Sequence, residues 1–288
     1  MSGEELVRHA VAAGLFYEKD PEKLREQIKN CFLHPLGPGR LPEATDGSSR
    51  SSIGYLSPHA GYMYSGPIAA HTYLSLSLEK KPETIIIIGP NHTGLGKPLS
   101  LAPWREWETP LGRLKVDIEL RNYLMRESRV LYPEYAAHLY EHSIEVQLPF
   151  IQFVYGNNVR ILAIAAMDQR PQTAIALAEE LIEALDRLGK DAVIIASTDM
   201  SHYEPHEIAV EKDMMAFKAM RTLDPDKLYR VIIENNISMC GPLGVMVLMH
   251  MARRLGGKEP EILKYATSGD VTGDKSAVVG YLSAVFPR

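Results

Sequence analysis

Histidine rings, a carboxylate and a thiol stand in this sequence where the backbone is forced to turn, and those are the side chains that bind metals or move protons. His92 is the clearest case. It follows the run Ile85 to Ile88 after a break at Gly89 and Pro90, with Asn91 beside it. His59 sits in SPHAGYMYSGP, where glycines and prolines bend the chain sharply and present the ring; the alternative is a loop histidine bonded to main chain. Asp199 and His202, three residues apart in STDMSH, let a carboxylate orient an imidazole or coordinate beside it, or else form an Asx turn.

Cys240, in MCGPLG, lies just ahead of Pro242 and an expected helix N-terminus, where aligned amide dipoles favour thiolate over thiol. A lone cysteine also fills space in cores. Two neutral imidazoles and one thiolate make a ligand set for zinc, iron or copper with a position left open for water or substrate. A further cluster is Glu141, His142 and Glu145, read on a helix from Tyr140 to Tyr155 with a kink before Pro149. There His142 and Glu145 share a face, lining the same cleft or forming a solvated charge patch.

These residues need elements that bring them to one place. The four isoleucines before Gly89 are too few and too β-branched for a helix, so they read as a strand buried on both faces. Ile53 to Ser57, ahead of His59, and Ala192 to Ala196, ahead of Asp199, read the same way. Three parallel neighbours would carry three imidazoles to one rim, the carboxyl edge where open α/β sheets bind ligands. Helices are expected over Pro21 to Phe32, from Gly66 and Pro67 to Leu78, and from the cap Asp117 to Glu127. Others are expected over Gln172 to Leu188, Glu207 to Leu223, Pro225 to Glu234 and Val245 to Arg254. Residues around Trp104, Trp107 and the turn at Pro110 form a hairpin-like excursion, and Ala277 to Phe286 a closing strand. Residues 36–52, rich in Gly, Pro and Ser, read as a surface loop. Strand and helix alternate throughout, which predicts a three-layer α/β/α sandwich with a mostly parallel central sheet in one domain over residues 1–288.

Composition narrows the function classes. With 288 residues, 45% of them hydrophobic, the chain can bury a large core, and a net charge of −5 without a dense Lys/Arg cluster argues against nucleic-acid binding. Glu4, Glu5 and Arg8 do not make a secretory leader, and no apolar run is long enough to span a membrane, so a cytoplasmic protein is expected. Two cysteines, Cys31 and Cys240, are expected as thiols there.

The phrases SPHAGYMYSGPIAAHTY, IIIIGPNHTG, EHSIEVQLPF, STDMSHYEP and CGPLGV, in this order, resemble the Memo family over nearly the whole chain. That resemblance implies a fold like that of the class III extradiol ring-cleaving dioxygenases, with a metal held by His59, His92 and Cys240. It places His202, with Asp199 nearby, where those enzymes keep an acid/base histidine. Cys240 stands where the dioxygenases have a carboxylate, and a softer thiolate favours copper(I), zinc or a redox role over ring cleavage. The family implies roles in motility and redox signalling in animals, and in microbes partners of AMME type and radical-SAM proteins. The leading expectation is therefore a metal-dependent redox protein or oxidoreductase acting on a small or modified-residue substrate. Two others stand beside it: a binding module that holds a peptide or anion at the helix N-termini near Gly66 and Pro242, and a hydrolase with Cys240 as nucleophile and His202 as base.

Overall fold

The run Thr84–Pro90 is buried at every position and has a parallel partner on each side, the arrangement its β-branched residues call for. A computed structural model describes residues 6–43 and 49–288. The expected surface loop is therefore only partly described, and the reading that used Glu4 and Glu5 lies outside the described residues. In chain order the strands are β1 (Val7–Arg8), β2 (Ser52–Ser57), β3 (Thr84–Pro90), β4 (Leu99–Leu101), β5 (Glu106–Thr109), β6 (Gly112–Val116), β7 (Tyr132–Pro133), β8 (Arg160–Ala166), β9 (Ala192–Ser197), β10 (His202–Glu204), β11 (Glu261–Thr267) and β12 (Val278–Pro287). The helices are α1 (Pro21–Leu33), α2 (Tyr62–Ser77), α3 (Ile118–Glu127), α4 (Ala136–Leu139), α5 (Leu148–Tyr155), α6 (Pro171–Leu188), α7 (His206–Met220), α8 (Pro225–Glu234), α9 (Pro242–Leu255) and α10 (Ser268–Thr272).

One twelve-stranded sheet has the main order β1-β5-β6-β8-β3-β9-β2-β12-β10. From β6 to β2 its pairs are parallel, and β12 closes the run antiparallel to β2. The strands that precede His92, Asp199 and His59 are β3, β9 and β2, adjacent and parallel as expected. Helices α1, α2 and α5 pack with one another as one layer, and α3, α6, α7, α8 and α9 as the other. The three-layer α/β/α sandwich with a mostly parallel sheet is thus the architecture observed. Among the described residues no helix is long and apolar enough to cross a membrane.

Two close approaches shape the carboxyl edge. A Cβ on Gly89 would lie 2.5 Å from Ser143 Oγ, so only glycine lets the segment carrying His142 press onto the end of β3. A Cβ on Gly241 would lie 2.7 Å from Ser197 O, so the chain entering α9 can sit directly on β9 and bring Cys240 with it.

Two element boundaries differ from expectation. Helix α2 starts at Tyr62, four residues before Gly66, because Gly61 N-caps it and Pro67 is tolerated inside. The segment expected as one helix from Tyr140 is irregular as far as Ile144, passes through a 3-10 turn at Glu145–Gln147 and becomes α-helical only at Leu148. Pro149 sits in the first turn of that helix, where its missing N–H costs nothing, and so marks a start rather than a kink.

Candidate metal centre

His59 leaves β2 with its backbone N–H donating to Asp199 Oδ1 at 2.8 Å and its ring only 2% exposed. Its Nδ1 lies 3.0 Å from Ser197 Oγ, which gives its own proton to Ser143 O and accepts from Gln147 Nε2. With the hydroxyl proton committed, Ser197 accepts from His59 Nδ1–H, and Nε2 keeps its lone pair. Burial and the neighbouring His142 and His92 rings push the His59 pKa well below its ordinary value.

His92 is fixed at two points by one carboxylate. Its backbone N–H donates to Glu141 Oε2 at 2.5 Å and its Nδ1–H to Glu141 Oε1 at 2.9 Å. Burial works against the charge on Glu141, yet these bonds and the Ser143 N–H hold its carboxyl down at about 2. Burial likewise opposes charge on His92, but Glu141 outweighs it and raises that pKa. Asn91 gives its side chain to the turn: Oδ1 accepts from the N–H groups of Thr93 and Gly94, and Nδ2 donates to Leu95 O. It shapes the approach to His92 and is not on the cavity wall.

His142 completes the group. Its Nδ1 lies 3.5 Å from Glu141 Oε1, and its ring stacks on His92 at 4.8 Å and on Phe16 at 4.2 Å between centroids. Burial pushes its pKa down to about 4. One nitrogen from each of His59, His92 and His142 lies within 4.8 Å of the others.

Cys240 Sγ reaches His59 Nε2 at 3.3 Å but falls outside that three-nitrogen group. Burial, with Asp199 adding to it, pushes the thiol up to about 12, against the thiolate that the helix N-terminus favours. Helix dipoles act on Cys240, but desolvation of the charged form is the larger effect. Asp199 is buried, and its carboxyl rises to about 6 although the His59 N–H and His202 stabilise its charge. His202 sits at the start of β10, its Nδ1–H donating to Ser238 O at 2.8 Å, which turns Nε2 into the only free ring nitrogen. The three histidines of the cluster, Asp199 and His202 all line one cavity of about 660 Å³.

A family model described as Memo-like protein matches residues 8–285. The chain belongs to the Memo family. A MEMO1 family protein of Ignicoccus hospitalis is 50% identical over 98% of this chain and 99% of its own length. One of Desulfurococcus amylolyticus is 50% identical over 97% and 98%. Among solved structures, the crystal structure of an uncharacterised protein of Escherichia coli K12 matches with a TM-score of 0.52 at 10% identity, over 82% of this chain and 99% of that one. That likeness speaks to the fold alone.

The three histidines of this Memo-family chain could hold a metal ion. His59 and His92 are each held through Nδ1 by a hydrogen-bond acceptor, the usual support behind ligating imidazoles, and the low pKa values of His59 and His142 keep those two rings neutral at physiological pH. Two expectations for the neighbouring residues are corrected. Glu145 does not share a helix face with His142: it is fully buried, ion-paired to Arg8 and accepting from the N–H groups of Val11 and Ala12 and from Tyr17 Oη. Gly66 is not a helix N-terminus, and at α9 two of the N–H groups are already taken. Gly66 lies inside α2 against Cys31 Sγ, while at α9 the Gly241 and Leu243 N–H groups donate to Thr198 Oγ1 and Gln169 Oε1.

Glu141, Phe16 and Ser197 carry more of the site than their sequence context suggests. Only Glu141 had a signal, its place beside His142 in a segment that Pro149 keeps out of the helix.

Proposed function

We propose that this Memo-family protein is a metal-dependent redox protein, an oxidoreductase acting on a small or modified-residue substrate. His59, His92 and His142 would hold the ion, with the Cys240 sulfur beside His59 as a further donor. The observation that carries the reading is the convergence of three imidazole nitrogens within 4.8 Å at the carboxyl edge of the sheet. Iron or copper bound there would supply one-electron chemistry and a Lewis-acid centre.

The protein's own groups account for the rest. Glu141 orients the His92 ring, Ser197 fixes that of His59, and His142 is positioned by stacking between His92 and Phe16. His202, anchored through Nδ1, can accept or release a proton at Nε2 on the cavity side. Asp199, with a carboxyl near 6, is able to hold or give up a proton close to neutrality. Phe16, stacked on His142, supports one face of that ring.

The test is elemental analysis of anaerobically purified protein beside its His92→Ala, His142→Ala and Cys240→Ser variants, with circular dichroism to follow the fold. One ion per chain is expected in the wild type, none in His92→Ala, and weaker retention in the other two. Wild-type stoichiometry in folded His92→Ala refutes the reading. Oxygen uptake on loading with iron or copper then separates an oxidoreductase from a binding protein.

A further inference from the structure

The cavity continues outward from the histidines, and its outer half has a chemistry of its own. Away from the histidine cluster, Tyr64, Tyr203 and Tyr281 supply aromatic surface, and Asp274 supplies a carboxylate. No Lys or Arg is among the described residues that line it. Asp274 receives the Ser276 N–H and hydroxyl both on Oδ1, at 2.9 and 2.7 Å, which leaves Oδ2 without a partner among the described residues. Tyr203 follows His202 directly, is 80% exposed and holds φ at +58°, a conformation that side-chain-bearing residues rarely adopt. An aromatic ring kept in water on a strained backbone is a usual mark of a ligand-facing position.

We propose that this outer half binds the organic cation of the substrate, an ammonium group on an apolar body, with Tyr203 and Tyr64 offering ring faces and Asp274 the counter-charge. Aromatic faces attract cations through their quadrupole, and carboxylates without compensating Lys or Arg repel anions. A cavity of about 660 Å³ has room for a ligand that reaches from the histidines to Asp274. The inference rests on the metal-centre reading for what lies at the inner end, while the outer residues named include none of the proposed ligands.

Calorimetric titration with phenethylammonium, its neutral isostere 2-phenylethanol and the anionic 3-phenylpropionate tests it, on protein whose metal content is counted in the same samples. The cation is expected to bind about tenfold more tightly than either analogue. Tyr203→Ala and Asp274→Asn should each weaken the cation about threefold or more and leave 2-phenylethanol little changed. Equal affinities, a preference for the anion, or a cation affinity untouched by both substitutions overturns the inference. Loss of the charge preference in protein that carries its metal removes this inference alone. A cation preference in protein that never takes up metal supports it and removes the metal reading instead.

Discussion

Glu141 is the residue on which most of the site geometry converges. Its two carboxylate oxygens accept from the backbone and ring of His92 and from the Ser143 N–H, and one of them lies 3.5 Å from His142 Nδ1. It is 1% exposed, so no water competes for these bonds. A glutamine in its place keeps the shape but offers an NH₂ where an acceptor is required, and it removes the charge that favours metal on the facing rings. Supporting residues of this kind commonly contribute 10 to 100-fold to metal affinity. Glu141→Gln is therefore expected to bind its ion about 10 to 100-fold more weakly with the fold retained, read by competition with a chelator of known affinity. An unchanged affinity would show that the carboxylate is ornamental to the metal and serves only to cap the loop.

At the scale of elements, the segment from β1 to Tyr17 is fastened to the segment that carries Glu141 and His142. Arg8 donates to the carbonyls of His138 and Glu141 and ion-pairs with Glu145, which also gathers the N–H groups of Val11 and Ala12 and the Tyr17 hydroxyl. Both charges are buried, so removing one leaves the other without its counter-charge. Glu145→Gln is expected to lower unfolding stability by about 3–5 kcal/mol in urea denaturation, and to loosen the Phe16 stack on His142. A loss below about 1 kcal/mol would mean that the network is not what holds this segment.

That arrangement also shows what the sequence could and could not reveal. Strands β2, β3 and β9 were legible because continuous apolar β-branched runs ending in Gly, Pro or polar residues leave few alternatives, and adjacency of parallel strands then gathers His59, His92 and Asp199. His142 does line the cavity, but Glu145 was misplaced beside it, since a helical pattern drawn through Pro149 puts the two on one face, whereas the helix begins only at Leu148 and Glu145 is taken up by Arg8. Arg8 pairing with Glu145 and Phe16 stacking on His142 bridge more than a hundred positions, and no local pattern encodes them. For Cys240 the dipole is visible in MCGPLG, but the burial that opposes it is a tertiary property and leaves no mark in the sequence.

Across the whole molecule, the fold encloses several titratable groups far from water, and their protons couple its stability to pH. His138 is the one that can be isolated, because it is no part of the proposed metal centre. It is fully buried beside Trp104 and Trp107, its Nε2–H donates to Ser100 O, and its Nδ1 has no partner. Burial pushes its pKa down to about 3, whereas in the unfolded chain it returns to about 6.5. Between those values the unfolded state binds the extra proton, so the stability that neutral His138 allows is intact above about pH 6.5 and is lost as pH falls toward 3. Asp199 has the opposite sign, its carboxyl raised by burial to about 6, so folding there is favoured as pH falls from about 6 to 4. The total pH dependence therefore mixes these with the shifted groups of the histidine cluster, and the informative quantity is a difference. The stability of wild type minus that of His138→Gln is expected to be flat above about pH 7 and to fall by about 1.4 kcal/mol per pH unit below about pH 6, following denaturant midpoints from acid to neutral. A difference that stays constant through that range would place the proton on folded and unfolded His138 alike, which its enclosure by two tryptophans and the nearby Arg8 guanidinium forbids.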